Sequence, residues 1–216
     1  MSELKALDGI GERILAYLDG KNAARDLALQ RSRTLIRHCA TAIRAAHRDE
    51  RDLAQEHLTQ AQEIKVALRE ELKPYPDLYH AGYTQDALKE YAEASIVYAL
   101  LSAEPLPDPD DLEVEYAAYL GGLGEAAGEL RRRTLDILRH NRSDEAERLL
   151  QMMDQIYGLL VTVDFPDAIT GKLRRLTDVV RGIVERTRGD LTTSLQQDEL
   201  KSALQAVHDR LDEESS

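Results

Sequence analysis

The chain has 216 residues, 43% apolar and 31% charged, enough to bury one good core, and it is read as a single domain over residues 1–216. A net charge of −12 excludes a uniformly basic nucleic-acid coat, and the single cysteine, Cys39, excludes an intrachain disulfide or a cysteine-built zinc site, so a reducing, cytoplasmic setting is expected. The longest apolar runs, such as Ile96–Leu101, fall far short of the roughly 20 residues of a membrane span, and Met1–Lys5 carry no export-signal pattern, so neither membrane nor export is expected.

Prolines and glycines fall in short clusters, and between them apolar residues recur at helical spacing. The expected fold is all-α, an antiparallel bundle of about seven helices. Leu4, Leu7, Ile10, Ile14, Leu15 and Leu18 form a first stripe. Leu27, Leu35, Ile36, Cys39, Ala42, Ile43 and Ala46 continue it beyond Asp19-Gly20, which reads as a break or a kink. A helix from about Arg51 to Leu72 must stop at Lys73-Pro74-Tyr75-Pro76, and the next begins near Leu78 and runs through Leu101. Glu104–Asp111, with three prolines, forces an extended loop in which Asp110 or Asp111 is placed to cap a helix reaching about Leu138. Asn141-Arg142-Ser143 offers another break, with Ser143 as cap. The following stripe of Leu149, Leu150, Met153, Ile156 and Leu160 ends at Asp164-Phe165-Pro166. Leu173, Leu176, Val179, Val180, Ile183 and Val184 then mark a helix to about Gly189. Thr193 and Gln196 match the capping-box spacing that opens a last helix, carrying Leu200, Leu204, Val207 and Leu211.

Two carboxylate pairs stand out. Glu90 and Glu93 sit at i and i+3 in an apolar stretch, with Asp86 extending the stripe, and Glu125 and Glu129 sit at i and i+4 in the small-residue stretch Tyr116–Leu130. Four glycines inside one helix cost about 1 kcal/mol each relative to alanine, so close approach of another backbone is expected to compensate. If the pairs converge, carboxylates about 4 Å apart repel by roughly 4 kcal/mol at an effective dielectric near 20, so such a cluster wants protons or a cation. An all-oxygen site suits Mg²⁺ or Mn²⁺, which would activate water and neutralise charge on a phosphodiester. The plain alternative is four solvated glutamates on helix surfaces. A di-iron carboxylate site falls away, because no histidine has a glutamate three residues before it.

Residues 22–51 hold seven arginines against Asp26, Asp49 and Glu50. An advance of about 100° per residue places Arg33, Arg37, Arg44, Arg48 and Arg51 in one stripe with His47, along which a polyanion could lie. The alternative is a solvated face paired with acids elsewhere in the chain. Arg131, Arg132 and Arg133 either touch phosphate or cover the surface. His80, beside Tyr79 and Tyr83, either stacks on a base or packs.

The stretches Ala87–Ala94, Tyr119–Arg132 and Phe165–Asp190 resemble the translin family, most closely the catalytic subunit type called translin-associated factor X and the archaeal members. The resemblance covers most of the chain. It implies a bundle of about seven helices assembled into a hollow octamer that takes single-stranded RNA or DNA inside. It also implies a divalent-metal-dependent endoribonuclease, with Glu90, Glu93, Glu125 and Glu129 holding Mg²⁺ or Mn²⁺ and carrying catalysis. Glu125 departs from the pattern, since the active eukaryotic subunit usually carries aspartate there. The other readings are a non-catalytic nucleic-acid binder that keeps its carboxylates as relics, and a helical scaffold in which Arg33, Arg37, Arg44 and Arg48 are engaged by acids.

Overall fold

The computed structural model describes residues 2–139 and 143–214, and among these it is all-α, with eight helices and no strand. The chain divides into two compact units, Met1–Gly122 and Leu123–Ser216.

The first unit contains α1 (Ser2–His47), α2 (Arg51–Glu71), the single turn α3 (Pro76–Tyr79), α4 (Gly82–Ser102) and the opening residues of α5 (Tyr116–Leu138). Helix α1 packs against both α2 and α4. Leu35, Cys39 and Ala42 from α1, Ala54, Leu58, Ala61 and Leu68 from α2, and Leu88, Ile96 and Val97 from α4 are buried. Asp19-Gly20 neither breaks nor ends α1. Its role is contact: a Cβ on Gly20 would lie 3.1 Å from the Tyr75 hydroxyl, Lys21 pairs with Asp77 at 2.7 Å, and the Tyr17 and Tyr75 rings are 5.9 Å apart. The turn into α2 places Asp49 in the left-handed region at φ 59°, and the amides of Arg48 and Glu50 both donate to the Ala45 carbonyl at 3.0 Å.

The prolines end α2 as expected, but the next helix does not run on from Leu78. The chain turns at His80, extends at Ala81 (ψ 147°) and restarts at Gly82, with the Thr84 hydroxyl donating to the Leu78 carbonyl at 2.9 Å. Neither Asp110 nor Asp111 caps the backbone of α5. Asp111 instead closes a turn, its amide donating to the Asp108 carboxylate at 2.7 Å, and Asp110 accepts from the Tyr116 hydroxyl at 3.2 Å. This connection is pinned from α2 by Lys65, only 3% exposed, whose ammonium meets the Leu112 carbonyl at 3.1 Å and the Glu113 carboxylate at 2.9 Å. A buried ammonium is tolerable because both contacts replace water.

The second unit holds the rest of α5, then α6 (Ser143–Thr162), the single turn α7 (Asp167–Thr170) and α8 (Leu173–Glu214), with α6 packed on α8. The expected break at Asn141-Arg142 and the Ser143 side chain lie outside the described residues. Asp164-Phe165-Pro166 does end α6, and Gly171 at φ 61° closes α7. No helix boundary falls at Gly189 or Thr193. Helix α8 passes through both, and the Thr193 hydroxyl donates to the Gly189 carbonyl at 2.9 Å instead of capping a new helix. No helix among the described residues is long and apolar enough to cross a membrane.

Candidate carboxylate and arginine sites

Glu90 is half-buried and Glu93 buried on α4. Burial first, then the charges of Glu90 and Glu93, push the Cys39 thiol of α1 above its usual range, so Cys39 stays protonated in the core as the apolar stripe suggested. Lys89 pairs with Glu90 at 3.2 Å. The expected close backbone approach is found beside this pair. A Cβ on Gly122 would sit 2.7 Å from the Glu93 amide nitrogen and 2.8 Å from the Lys89 carbonyl, and one on Gly121 would sit 3.0 Å from the Lys89 side chain. Only glycine lets α5 begin this close to α4.

Glu125 and Glu129 follow on α5, both half-buried. Gly124 admits the Leu176 side chain from α8, whose nearest atom would be 2.5 Å from an added Cβ, whereas nothing crowds Gly128. Arg132 approaches Glu129 at 3.6 Å. Arg131 neither awaits phosphate nor merely covers surface: it ties α5 to α8, donating to the Thr187 hydroxyl at 2.9 Å and pairing with Asp190 at 2.8 Å. Arg133 reaches Glu145 of α6 at 3.6 Å. Each pair offers only carboxylate oxygens, withdrawn in part from solvent, and such donors fit a hard divalent cation better than a soft one.

The arginines between positions 25 and 51 sort into two groups. Arg31 forks onto Glu71 of α2 at 2.6 and 2.5 Å, and Arg25 pairs with Asp26 at 3.2 Å. Arg33, Arg37 and Arg44 on α1, Arg48 in the turn that follows and Arg51 opening α2 are exposed and have no carboxylate partner among the described residues; α1 ends at His47, so the expected single stripe does not carry through Arg48 and Arg51. His47 is half-buried in the last turn of α1. Exposed guanidinium groups without a carboxylate partner, in a chain of net charge −12, count against the scaffold reading. His80 packs edge-on against Tyr79, ring centres 5.1 Å apart.

Among solved structures, this all-helical chain is similar to the C3PO proteins. AfC3PO is 33% identical with a TM-score of 0.81, over 86% of this chain and 97% of that one. The structure of AfC3PO in complex with duplex RNA matches with a TM-score of 0.75 at 33% identity, over 86% and 96%. Apo-NeC3PO, 23% identical over 87% and 96%, shares the fold with a TM-score of 0.76. An uncharacterised protein of Methanocaldococcus jannaschii is 30% identical over 203 residues, 93% of this chain and 90% of its own length. No protein-family model matches the chain. The chain belongs to the translin family, on the side of its archaeal members.

Proposed function

We propose that this protein binds RNA and cleaves it as a divalent-metal-dependent endoribonuclease within a hollow homo-oligomer, acting on single-stranded or loosely structured strands. The observation that carries the catalytic reading is the docking of Gly122 on the Lys89–Glu93 backbone. Helix α5 continues unbroken from there, so Glu125, three residues on, stands about 4.5 Å further along the same helix, and Glu129 about one turn beyond it. All four carboxylates, Glu90, Glu93, Glu125 and Glu129, are half-buried or buried, where like charges are hard to sustain without a cation. Glu90, Glu93, Glu125 and Glu129 would hold Mg²⁺ or Mn²⁺, which when bound supplies charge neutralisation at the phosphodiester and a lowered pKa for water. Arg33, Arg37, Arg44, Arg48 and Arg51, with His47, supply the phosphate contacts that hold the strand. The AfC3PO complex with duplex RNA supports RNA as the polyanion.

The non-catalytic reading draws on one observation, glutamate at position 125, whose longer arm displaces its oxygens from where aspartate would place them. Incubation of labelled single-stranded RNA with the purified chain, with and without Mn²⁺, separates the two. Glu125→Gln and Glu129→Gln are expected to abolish cleavage while leaving RNA binding and assembly intact, and EDTA is expected to stop the wild type. Undiminished cleavage in either variant or in EDTA overturns the enzymatic reading, and tight binding without products under all conditions favours a carrier.

A further inference from the structure

The unpaired arginines of α1 are not equivalent. Arg37 donates from Nη2 to the Thr34 hydroxyl oxygen at 3.0 Å, and Arg44 donates from Nη2 to the Thr41 hydroxyl oxygen at 3.0 Å. Each threonine is itself anchored, Thr34 donating to the Gln30 carbonyl at 3.0 Å and Thr41 to the Arg37 carbonyl at 2.9 Å. The same unit, threonine followed three residues later by arginine, thus recurs after seven residues. That interval is two helical turns, about 10 Å along one face. The flanking arginines lack the tether: three residues before Arg33 stands Gln30, and three before Arg48 stands Ala45. A shallow pocket of about 450 Å³ lined by Gln30, Arg33, Ile36 and Arg37 leaves open space beside the first tethered guanidinium.

A guanidinium offers five N–H donors, and one is spent on the threonine, so the rest of the fork stays available to phosphate. An arginine already leaning on a fixed hydroxyl loses less rotamer freedom when it binds than one waving in solvent. The geometry points to Thr34 and Thr41 as positioning residues for phosphate recognition: they pre-orient Arg37 and Arg44 toward two phosphates of a bound strand, while Arg33 and Arg48 contribute mobile charge. This rests on the RNA-binding reading above. It adds residues that touch no nucleic acid, and it makes the two central contacts indifferent to base sequence.

The test is fluorescence anisotropy with fluorescein-labelled oligo(U) RNA and the full-length protein, without added metal, over a series of salt concentrations. Thr34→Val/Thr41→Val removes the hydroxyls and keeps the shape. It is expected to weaken binding about tenfold at fixed salt, from the added ordering of two long side chains, with the salt slope and melting temperature unchanged. Thr34→Ser/Thr41→Ser, which keeps the hydroxyls, is expected to restore wild-type affinity. Arg37→Gln/Arg44→Gln is expected to lower the slope of log K against log salt by about 1.4, two phosphate contacts at about 0.7 each for a single strand. Wild-type affinity in the valine variant, or no rescue by serine, overturns the positioning role while weakened binding by the glutamine variant leaves the RNA-binding reading standing. An unchanged salt slope in the glutamine variant removes the arginine face from RNA binding and the inference with it.

Discussion

The two longest helices, α1 with 46 residues and α8 with 42, make opposite use of their second halves. In α1 that half buries Leu35, Cys39, Ala42, Ile43, Ala45 and Ala46 while presenting arginines outward. In α8 nothing described beyond Leu191 is buried, and Leu200, Leu204, Val207 and Leu211 are each more than half exposed. Both stretches carry apolar residues at helical spacing, and both keep an unbroken backbone ladder. Periodicity therefore reports which face could be buried, and only tertiary contact reports that it is. Side-chain pairs along the end of α8, Lys201 with Asp198 at 3.2 Å and Gln205 with Asp209 at 2.7 Å, add a few tenths of a kcal/mol apiece, far less than core burial.

The contrast can be broken most severely from the α1 side. Leu35→Ala, at a residue with no exposure, is expected to cost about 2–5 kcal/mol by chemical denaturation, through lost burial and the cavity left behind. A smaller effect should follow from acid. His38 and His57 bring their Nδ1 atoms to 3.0 Å across the α1–α2 contact. Burial, then His57, then Arg37 hold the His38 pKa below its usual 6.5. The unfolded chain accordingly takes up this proton more readily, so the stabilisation is present above pH 6.5 and lost as pH falls through the depressed folded value. Stability measured at pH 7.5 and 5.5 should differ less in His38→Gln than in the wild type, and an equal difference would show that the pair does not couple to folding. The least effect is expected from α8: Leu204→Ala should shift the stability of the isolated chain by no more than about 0.5 kcal/mol, the usual range for an exposed position. A loss comparable to that of Leu35→Ala would mean that this stripe is covered.

What the amino-acid order made legible follows the same division between local and tertiary causes. Pro74 and Pro76 announce the end of α2 because a missing amide and a fixed φ act within one turn. Gly189 and the Thr193/Gln196 pair announce a boundary in α8 that does not exist. A glycine costs a helix only about 1 kcal/mol, and a threonine hydroxyl can satisfy its own helix at i−4 as readily as it can cap the next. Angular spacing placed Arg33, Arg37 and Arg44 on one exposed face of α1 but also carried the stripe through Arg48 and Arg51, past the end of the helix at His47; the two arginines of that segment left out of it, Arg25 and Arg31, are the ones held by Asp26 and Glu71. The acidic pairs were readable in the same way. Their depth was not, since spacing does not reveal that Glu93 is buried or that Cys39 lies near enough to feel both charges. Thr34 and Thr41 carry no charge and so leave no mark in a charge pattern, although their recurrence three places before Arg37 and Arg44 is plain in the chain.

Gly122 sets a spacing without contributing a side chain. Because its bare Cα lies against the Glu93 amide, a single methyl group there would act as a shim, prising the start of α5 off α4 while leaving every carboxylate chemically intact. The separation of α4 from the start of α5 can therefore be tuned at a position that carries no side chain, by thickness in place of charge.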